Sequence, residues 1–218
     1  MRNRRVITDM LAGTKLLLTC CLVARLLTAV AVAADTPENL MKQAQTAFDR
    51  SDIVVAMSLY RMAAEAGHAP AQSRLAYLLD NAEDNEAAVA WYLKAAEAGD
   101  AAGMAGLAQM YAAGEGTEQN LQEAARWYTL AAQQGHTPAI RVLALAYESG
   151  GLGFDVNYAQ TISWLNAGVA ANDVWSTQRL ARALRQGELG LRIDREQADL
   201  LEMRLPGKQP ESGTVKKQ

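Results

Sequence analysis

Residues 103–135 read GMAGLAQMYAAGEGTEQNLQEAARWYTLAAQQG. Small and apolar residues recur every three or four positions on both sides of the Gly-Glu-Gly sequence at 114–116, which is the period of two amphipathic helices joined by a loop. Asn120 is a typical helix N-cap, and Gly135 follows the second helix, where a left-handed residue commonly ends a helix. This stretch therefore predicts a helical hairpin.

The hairpin pattern occurs several times along the chain. The segment WYLKAAEAGDAAG that begins at Trp91 returns as WYTLAAQQGHTPA at Trp127, with weaker copies at Leu59 and Trp164. A fifth, partial copy at Leu201 makes the spacings 32, 36, 37 and 37 residues. Self-similarity at this period is typical of a repeat architecture in which each helix pair packs on its neighbours.

The residues that begin and end helices recur with the same period. The glycines after each second helix are Gly67, Gly99 and Gly135, and the prolines in the next first turn are Pro70 and Pro138. The N-cap candidates of the second helices are Asn120, Asn157 and Asp194. Two copies depart from this pattern, because the loop at 80–85 lacks a Gly-x-Gly sequence and Asn172 replaces the helix-ending glycine. Asn is the usual second choice for a left-handed residue, so we expect the fourth hairpin to form.

These motifs together resemble the Sel-one-like repeat (SLR), a longer-looped relative of the tetratricopeptide repeat. The shared elements are A-x-x-x-L-A-x-x-Y, a G-x-G loop, a cap residue, A-x-x-W-Y and A-A-x-x-G. The resemblance covers residues 38–205 and implies an all-α, right-handed α-solenoid of about five helix-turn-helix repeats. It also implies a non-enzymatic adaptor role, in envelope signalling, secretion, polysaccharide export or host contact.

The N-terminal segment is typical of an export signal. Basic residues precede an apolar run at 16–33 that ends in Ala-Val-Ala,. We predict a signal peptide over residues 1–33 and hence a periplasmic or secreted chain whose two cysteines are removed with the signal. Retention of the segment as a membrane anchor is the alternative, although Arg25 within the run disfavours a stable span.

The charge of the chain disfavours one class of partner. The net charge is −3, and without residues 1–33 the chain would carry 16 basic and 23 acidic residues. An anionic protein without clustered Lys and Arg has no electrostatic reason to bind phosphate backbones, so we expect no nucleic-acid partner. Residues 206–218 are almost free of apolar side chains and are predicted to be a disordered tail,.

Candidates for catalytic chemistry are few. His68 and His136 are the two histidines, and both directly follow a repeat glycine, where we expect a solvent-facing turn. There is no G-x-S-x-G sequence, and the predicted mature chain has no cysteine nucleophile,. We therefore expect no catalytic residue, no metal site and no cofactor. Trp91, Trp127 and Trp164 occupy the repeat position that predicts core packing.

The first helices of such solenoids line a concave face, and their non-core positions are the predicted contacts to a protein or peptide partner. Arg141, Arg179 and Arg182 among them are suited to bind acidic side chains or a chain terminus in a bidentate manner. Trp175, at the start of a first helix, either packs on the previous repeat or binds the partner. The predicted partner-binding residues are Arg74, Tyr77, Gln109, Arg141, Leu145, Trp175, Gln178, Arg179 and Arg182.

Two other functions stay open at this point. An envelope hydrolase, or a protein that binds cell wall or β-lactams, would need two carboxylates that converge in the groove, one of them with a raised pKa. A structural role would need a retained N-terminal segment and a solenoid that assembles with itself on the membrane.

Overall fold

The computed structural model describes residues 36–207, and this part of the chain forms ten α-helices and no strand. The predicted all-α class is confirmed, and the helices follow one another as five hairpins. The helices are α1 (Pro37–Asp49), α2 (Ile53–Glu65), α3 (Ala69–Asn81), α4 (Asn85–Glu97), α5 (Ala101–Ala113), α6 (Leu121–Gln133), α7 (Thr137–Ser149), α8 (Tyr158–Ala170), α9 (Val174–Gln186) and α10 (Arg195–Glu202).

The chain divides into two compact units, Met1–His68 and Ala69–Gln218. The predicted signal peptide over residues 1–33 and all but two residues of the predicted tail lie outside the described residues. Among residues 36–207, no helix combines the length and the hydropathy that a membrane span requires.

The described part of the first unit is the hairpin of α1 and α2. Thr36 caps α1 with its side chain, and a proline occupies the first helical position, where a missing N–H costs nothing,. Asp52 caps α2 in the same way. Tyr60 is buried between the helices, and its hydroxyl lies 3.0 Å from Oε1 of Gln45, so the ring fills the core while its polar end is satisfied.

The second unit contains four hairpins whose helices pack closely because small residues stand at the crossings. In sequence, α3 packs on α4, α5 on α6, α7 on α8 and α9 on α10, and α3 also contacts α5. A Cβ atom added to Gly103 of α5 would lie 2.5 Å from Cβ of Ala95 in α4, closer than two carbon atoms can approach. The alanines and glycines of the repeat therefore set the distance between neighbouring helices.

The predicted helix ends are confirmed at most positions. Gly67, Gly99 and Gly135 have positive φ, and Asn172 takes the same left-handed conformation with φ 58°. The predicted caps at 120, 157 and 194 each accept a hydrogen bond from the backbone of the following first turn.

The loop predicted at 80–85 is shorter than expected. Its first two residues end α3 and its last residue begins α4, so the turn consists of residues 82–84. Glu83 adopts φ 62°, a left-handed conformation that breaks the helix without a glycine. A non-glycine residue in this conformation is uncommon and carries a modest strain.

The aromatic residues of the repeat are less uniformly buried than predicted. Trp127 is buried, whereas Trp91 and Trp164 are half-buried. The tyrosines that follow the first two tryptophans, Tyr92 and Tyr128, are buried. The Lys94 ammonium lies 3.9 Å from the centroid of the Trp91 ring, so one face of this ring meets a cation rather than the core,.

We expect the substitution Gly168→Ala to destabilise the second unit. The added Cβ would lie 2.5 Å from Cβ of the buried Ser176, and relieving this contact requires α8 and α9 to separate. Overpacking of this kind costs about 1–3 kcal/mol, although Gly→Ala stabilises an unconstrained helix. Urea unfolding measures the loss, with exposed Asn166→Ala in the same helix as the control. Equal stability of Gly168→Ala and wild type would contradict this packing.

Candidate binding surface

An exposed row of four side chains follows the first helices of the second unit. Each is the ninth residue of its helix, so the four occupy equivalent positions in α3, α5, α7 and α9. Tyr77 and Leu145 are 47% and 48% exposed, although large apolar side chains are usually buried,. The exposed row consists of Tyr77, Gln109, Leu145 and Arg182.

The other predicted contact residues differ in accessibility. Arg74 and Gln178 are exposed. Trp175 is half-buried and packs against the core of the last two hairpins, which includes Leu165 and Leu180. Contact of these residues with a partner stays a prediction.

Arg141 is held by the carboxylate that caps the next first helix. Its Nε donates to both Asp173 oxygens, at 2.9 and 3.1 Å, and one Nη donates to the same carboxylate. Asp173 also accepts hydrogen bonds from the backbone N–H and the hydroxyl of Ser176, at 2.8 and 2.6 Å. Burial opposes the ionisation of Asp173, but the hydrogen bonds from Arg141 and Ser176 outweigh it and hold the Asp173 pKa below its ordinary value,.

Arg179 joins two hairpins through two carboxylates. Its Nε and Nη2 donate to the two oxygens of Glu148 at 3.3 and 2.6 Å, and its Nη1 donates to Glu188 at 2.7 Å. The Arg179 side chain is 15% exposed. Arg182 shares Glu188 through one Nη at 3.2 Å, but its own side chain is 63% exposed.

A cavity of about 380 Å³ opens beside these charges. Its lining combines two guanidinium groups, two carboxylates, a half-exposed tyrosine ring and a buried aliphatic side chain. The lining residues are Glu148, Tyr158, Arg179, Arg182, Glu188 and Leu189.

A second cavity of about 290 Å³ lies against α6. Tyr147 and Phe154 line one side of it and are stacked, with ring centroids 4.2 Å apart. This cavity contains none of the predicted partner-binding residues.

The two histidines lie at the turns between hairpins, as predicted, but their side chains are half-buried rather than solvent-facing. The position after the left-handed residue is a helix N-cap, which turns the side chain back towards the protein. The His68 side chain is 18% exposed, and its Nε2 lies 3.1 Å from a carboxylate oxygen of Glu38. His136 is half-buried, and its Nδ1 accepts a hydrogen bond from the Ala139 N–H at 3.3 Å.

Sequence reasoning missed the acidic partners of the arginines. Asp173 was recognised neither as a cap nor as a buried carboxylate, and Glu148 and Glu188 received no role. The separations of 32 residues for Arg141–Asp173 and 31 for Arg179–Glu148 are close to the repeat period. Alignment of the internal copies by their first helices would have placed both pairs in adjacent hairpins. No cluster of metal-binding side chains occurs in the described part of the chain.

Four successive segments of the chain match the Sel1 repeat family model: residues 49–68, 69–100, 101–136 and 137–173. Together these segments cover more than half of the chain. No curated protein sequence matches it.

Solved structures share the fold, and three of them serve as examples. A Sel1 repeat protein from Oxalobacter formigenes has TM-score 0.70 and 23% identity, covering 84% of this chain and 75% of that one. The protective antigen c5321 of uropathogenic Escherichia coli, which displays an SLR fold, has TM-score 0.67 and 26% identity, covering 81% of this chain but 39% of the antigen. A Klebsiella pneumoniae Sel1 repeat protein has TM-score 0.56 and 19% identity, covering 81% and 89%.

We expect Asp173→Ala to cost about 2 kcal/mol of unfolding free energy, because it removes a helix cap and leaves the buried Ser176 donors without their acceptor,. Asp173→Asn retains a capping oxygen and should cost less. Chemical denaturation of both variants tests this order. Equal losses for the two substitutions would show that the cap does not matter.

Stability should also depend on the protonation of His136. Its Nδ1 can accept the Ala139 hydrogen bond only when the imidazole is neutral, and burial lowers the His136 pKa although Asp100 opposes this. Protonation then favours the unfolded chain, so the cap contributes fully above the ordinary pKa of about 6.5 and is lost as the pH falls below it.

The variant His136→Asn keeps a capping oxygen that does not titrate. We expect it to reduce the decline in unfolding free energy between pH 7.5 and 5.5, measured by urea denaturation, by roughly the value of one cap, about 1 kcal/mol. An unchanged pH profile in this variant would rule out His136 as the titrating group.

Proposed function

Since the chain belongs to the Sel1 repeat family, we propose that it is an exported, non-enzymatic scaffold that binds a peptide or protein segment along the first helices of its second unit. Sel1 repeat proteins are generally protein-interaction scaffolds of a typically non-catalytic fold. We propose in addition that this protein is exported to the bacterial envelope and that it binds its partner through a defined face.

The exposed row carries the proposal of a binding face. It places one solvent-accessible side chain on each successive first helix, and its members differ in chemistry: an aromatic ring, an amide, an aliphatic group and a guanidinium. Packed helices lie about 8–10 Å apart and an extended peptide advances about 3.3 Å per residue, so each hairpin would meet about three residues. A repeated row of this kind suits an extended segment of roughly ten residues.

Export rests on the sequence of residues 1–33, with its basic start, apolar run and small residues before the proposed cleavage site,. The mass of the protein isolated from cells would distinguish a cleaved signal from a retained anchor. A retained segment would favour the membrane-anchored structural role instead.

One observation favours the hydrolase alternative. The pKa of Asp80 is raised by burial and by the negative charge of Glu115, so two carboxylates interact at the end of α3. A carboxyl with a raised pKa stays protonated at higher pH, which is one property of a general acid. Neither of the two cavities described above includes this pair. Turnover of peptidoglycan or a β-lactam that is lost in Asp80→Asn would favour this alternative over the scaffold.

The scaffold proposal is tested by site-specific photo-crosslinking in cells. A photoreactive amino acid at Gln109, inside the exposed row, should crosslink a defined envelope protein, whereas the same probe at exposed Gln122 of α6 should not. Leu145→Ala should weaken this crosslink severalfold by removing an apolar contact. Leu200→Ala, at a residue that is 54% exposed on α10, is the matched control.

Two results would oppose the proposal. The first is the absence of any specific crosslink from position 109 under conditions in which the protein is exported and folded. The second is a crosslinked partner whose yield is the same in wild type and in Leu145→Ala, because the row would then not contribute to binding.

A further inference from the structure

We propose that the cavity beside Arg182 binds a carboxylate of the partner peptide, and thereby sets the direction of that peptide along the exposed row. The inference rests on the proposed function, and it names the group that is recognised and the residue that recognises it. The carboxylate belongs either to an Asp or Glu side chain or to the peptide C-terminus, since both present the same two oxygens.

Arg141 and Arg179 are already paired with carboxylates of the chain itself. Arg141 donates to Asp173, and Arg179 donates from all three of its nitrogens to Glu148 and Glu188. Breaking either arrangement would leave a carboxylate in a half-buried or buried position without its counter-charge, which is costly. These two arginines therefore hold adjacent hairpins together and are poorly available to a ligand.

Arg182 differs from both. Its side chain is 63% exposed, one Nη lies 3.2 Å from Glu188, and its Nε meets Gln186 at a long 3.4 Å. Its other Nη has no hydrogen-bond or ion-pair partner among residues 36–207. Of the two arginines that line the cavity, Arg182 is thus the one with an Nη that has no partner in the described part of the chain, on a planar group that suits a carboxylate,.

The acidic residues of the cavity do not compete for this role. Each oxygen of Glu148 and of Glu188 already accepts a hydrogen bond or ion pair from a guanidinium nitrogen. Every carboxylate oxygen of the cavity has a guanidinium partner, whereas one Nη of Arg182 has none among residues 36–207. An acceptor with negative charge complements it better than an ammonium group does.

The other residues that line the cavity restrict which peptide residue can carry the carboxylate. Tyr158 is 47% exposed and Leu189 is 8% exposed, so they supply an aromatic and an aliphatic surface beside the charges. A volume of about 380 Å³ exceeds a carboxylate alone and accommodates the residue that carries it. The apolar residues of the same peptide would then extend towards Leu145 and Tyr77.

A peptide library supplies the probe for the test. Random decapeptides with free C-termini would be selected for binding to the purified full chain. The peptide that binds best would then be synthesised. Three derivatives follow: one with each acidic side chain replaced by its amide, one with a C-terminal carboxamide, and one with both changes. Fluorescence anisotropy gives the affinity of each for wild type, Arg182→Gln and Arg126→Gln.

Arg126→Gln is the matched control, because Arg126 is 55% exposed and forms a single ion pair with Glu123 on α6. We expect Arg182→Gln to weaken the selected peptide about tenfold, and Arg126→Gln to leave its affinity unchanged. The derivative that lacks the recognised carboxylate should bind wild type as weakly as the parent peptide binds Arg182→Gln. Which derivative does so shows whether the recognised carboxylate belongs to a side chain or to the C-terminus. Unchanged circular dichroism and melting temperature would show that Arg182→Gln is folded.

Two outcomes would overturn the inference. If Arg182→Gln weakens the parent peptide and the doubly neutral derivative equally, or weakens neither, the cavity does not recognise a carboxylate, while peptide binding itself would still support the scaffold. If no peptide binds the wild-type chain, the proposed function fails, and this inference fails with it.

Discussion

The close approach of neighbouring helices is the constraint on which the rest of the structure depends. Gly103 against Ala95 and Gly168 against Ser176 leave no room for an added Cβ atom. Because interiors are packed as densely as organic crystals, a larger residue at such a crossing must move a whole helix. The small residues of the repeat thereby set the spacing of the hairpins, and this spacing brings Arg141 to Asp173 and Arg179 to Glu148.

One position in each repeat has two structural tasks. The residue after the left-handed turn caps the next helix, as Asp100, His136 and Asp173 do. The same side chain also interacts with a neighbouring hairpin: Asp173 accepts from Arg141, and the charge of Asp100 acts on His136. Local helix formation and the packing of successive hairpins are coupled at these caps, so a change of charge there affects both.

The ion pairs between hairpins distinguish two arginines with a structural role from one arginine that is open to a ligand. Two of the three arginines predicted to bind acidic groups are held by carboxylates of the chain itself, and Arg182 retains donors that face a cavity. The exposed row, by contrast, carries large apolar side chains that no core requires. A surface with one available charge and two large apolar side chains suits the extended peptide proposed above.

The sequence by itself determined the repeat, the helical hairpins and nearly all of their ends, because periodicity, left-handed glycines and N-caps act over a few residues. It also pointed to exposed positions of the first helices, such as Tyr77, Gln109, Leu145 and Arg182, although Trp175 at another predicted position packs against the core. Only the tertiary structure decided that Arg141 and Arg179 are paired, that the two histidines are partly buried, and that a cavity opens beside Arg182. The arginine partners lie one hairpin away in sequence, and which side chains meet depends on how closely and at what rotation the helices pack.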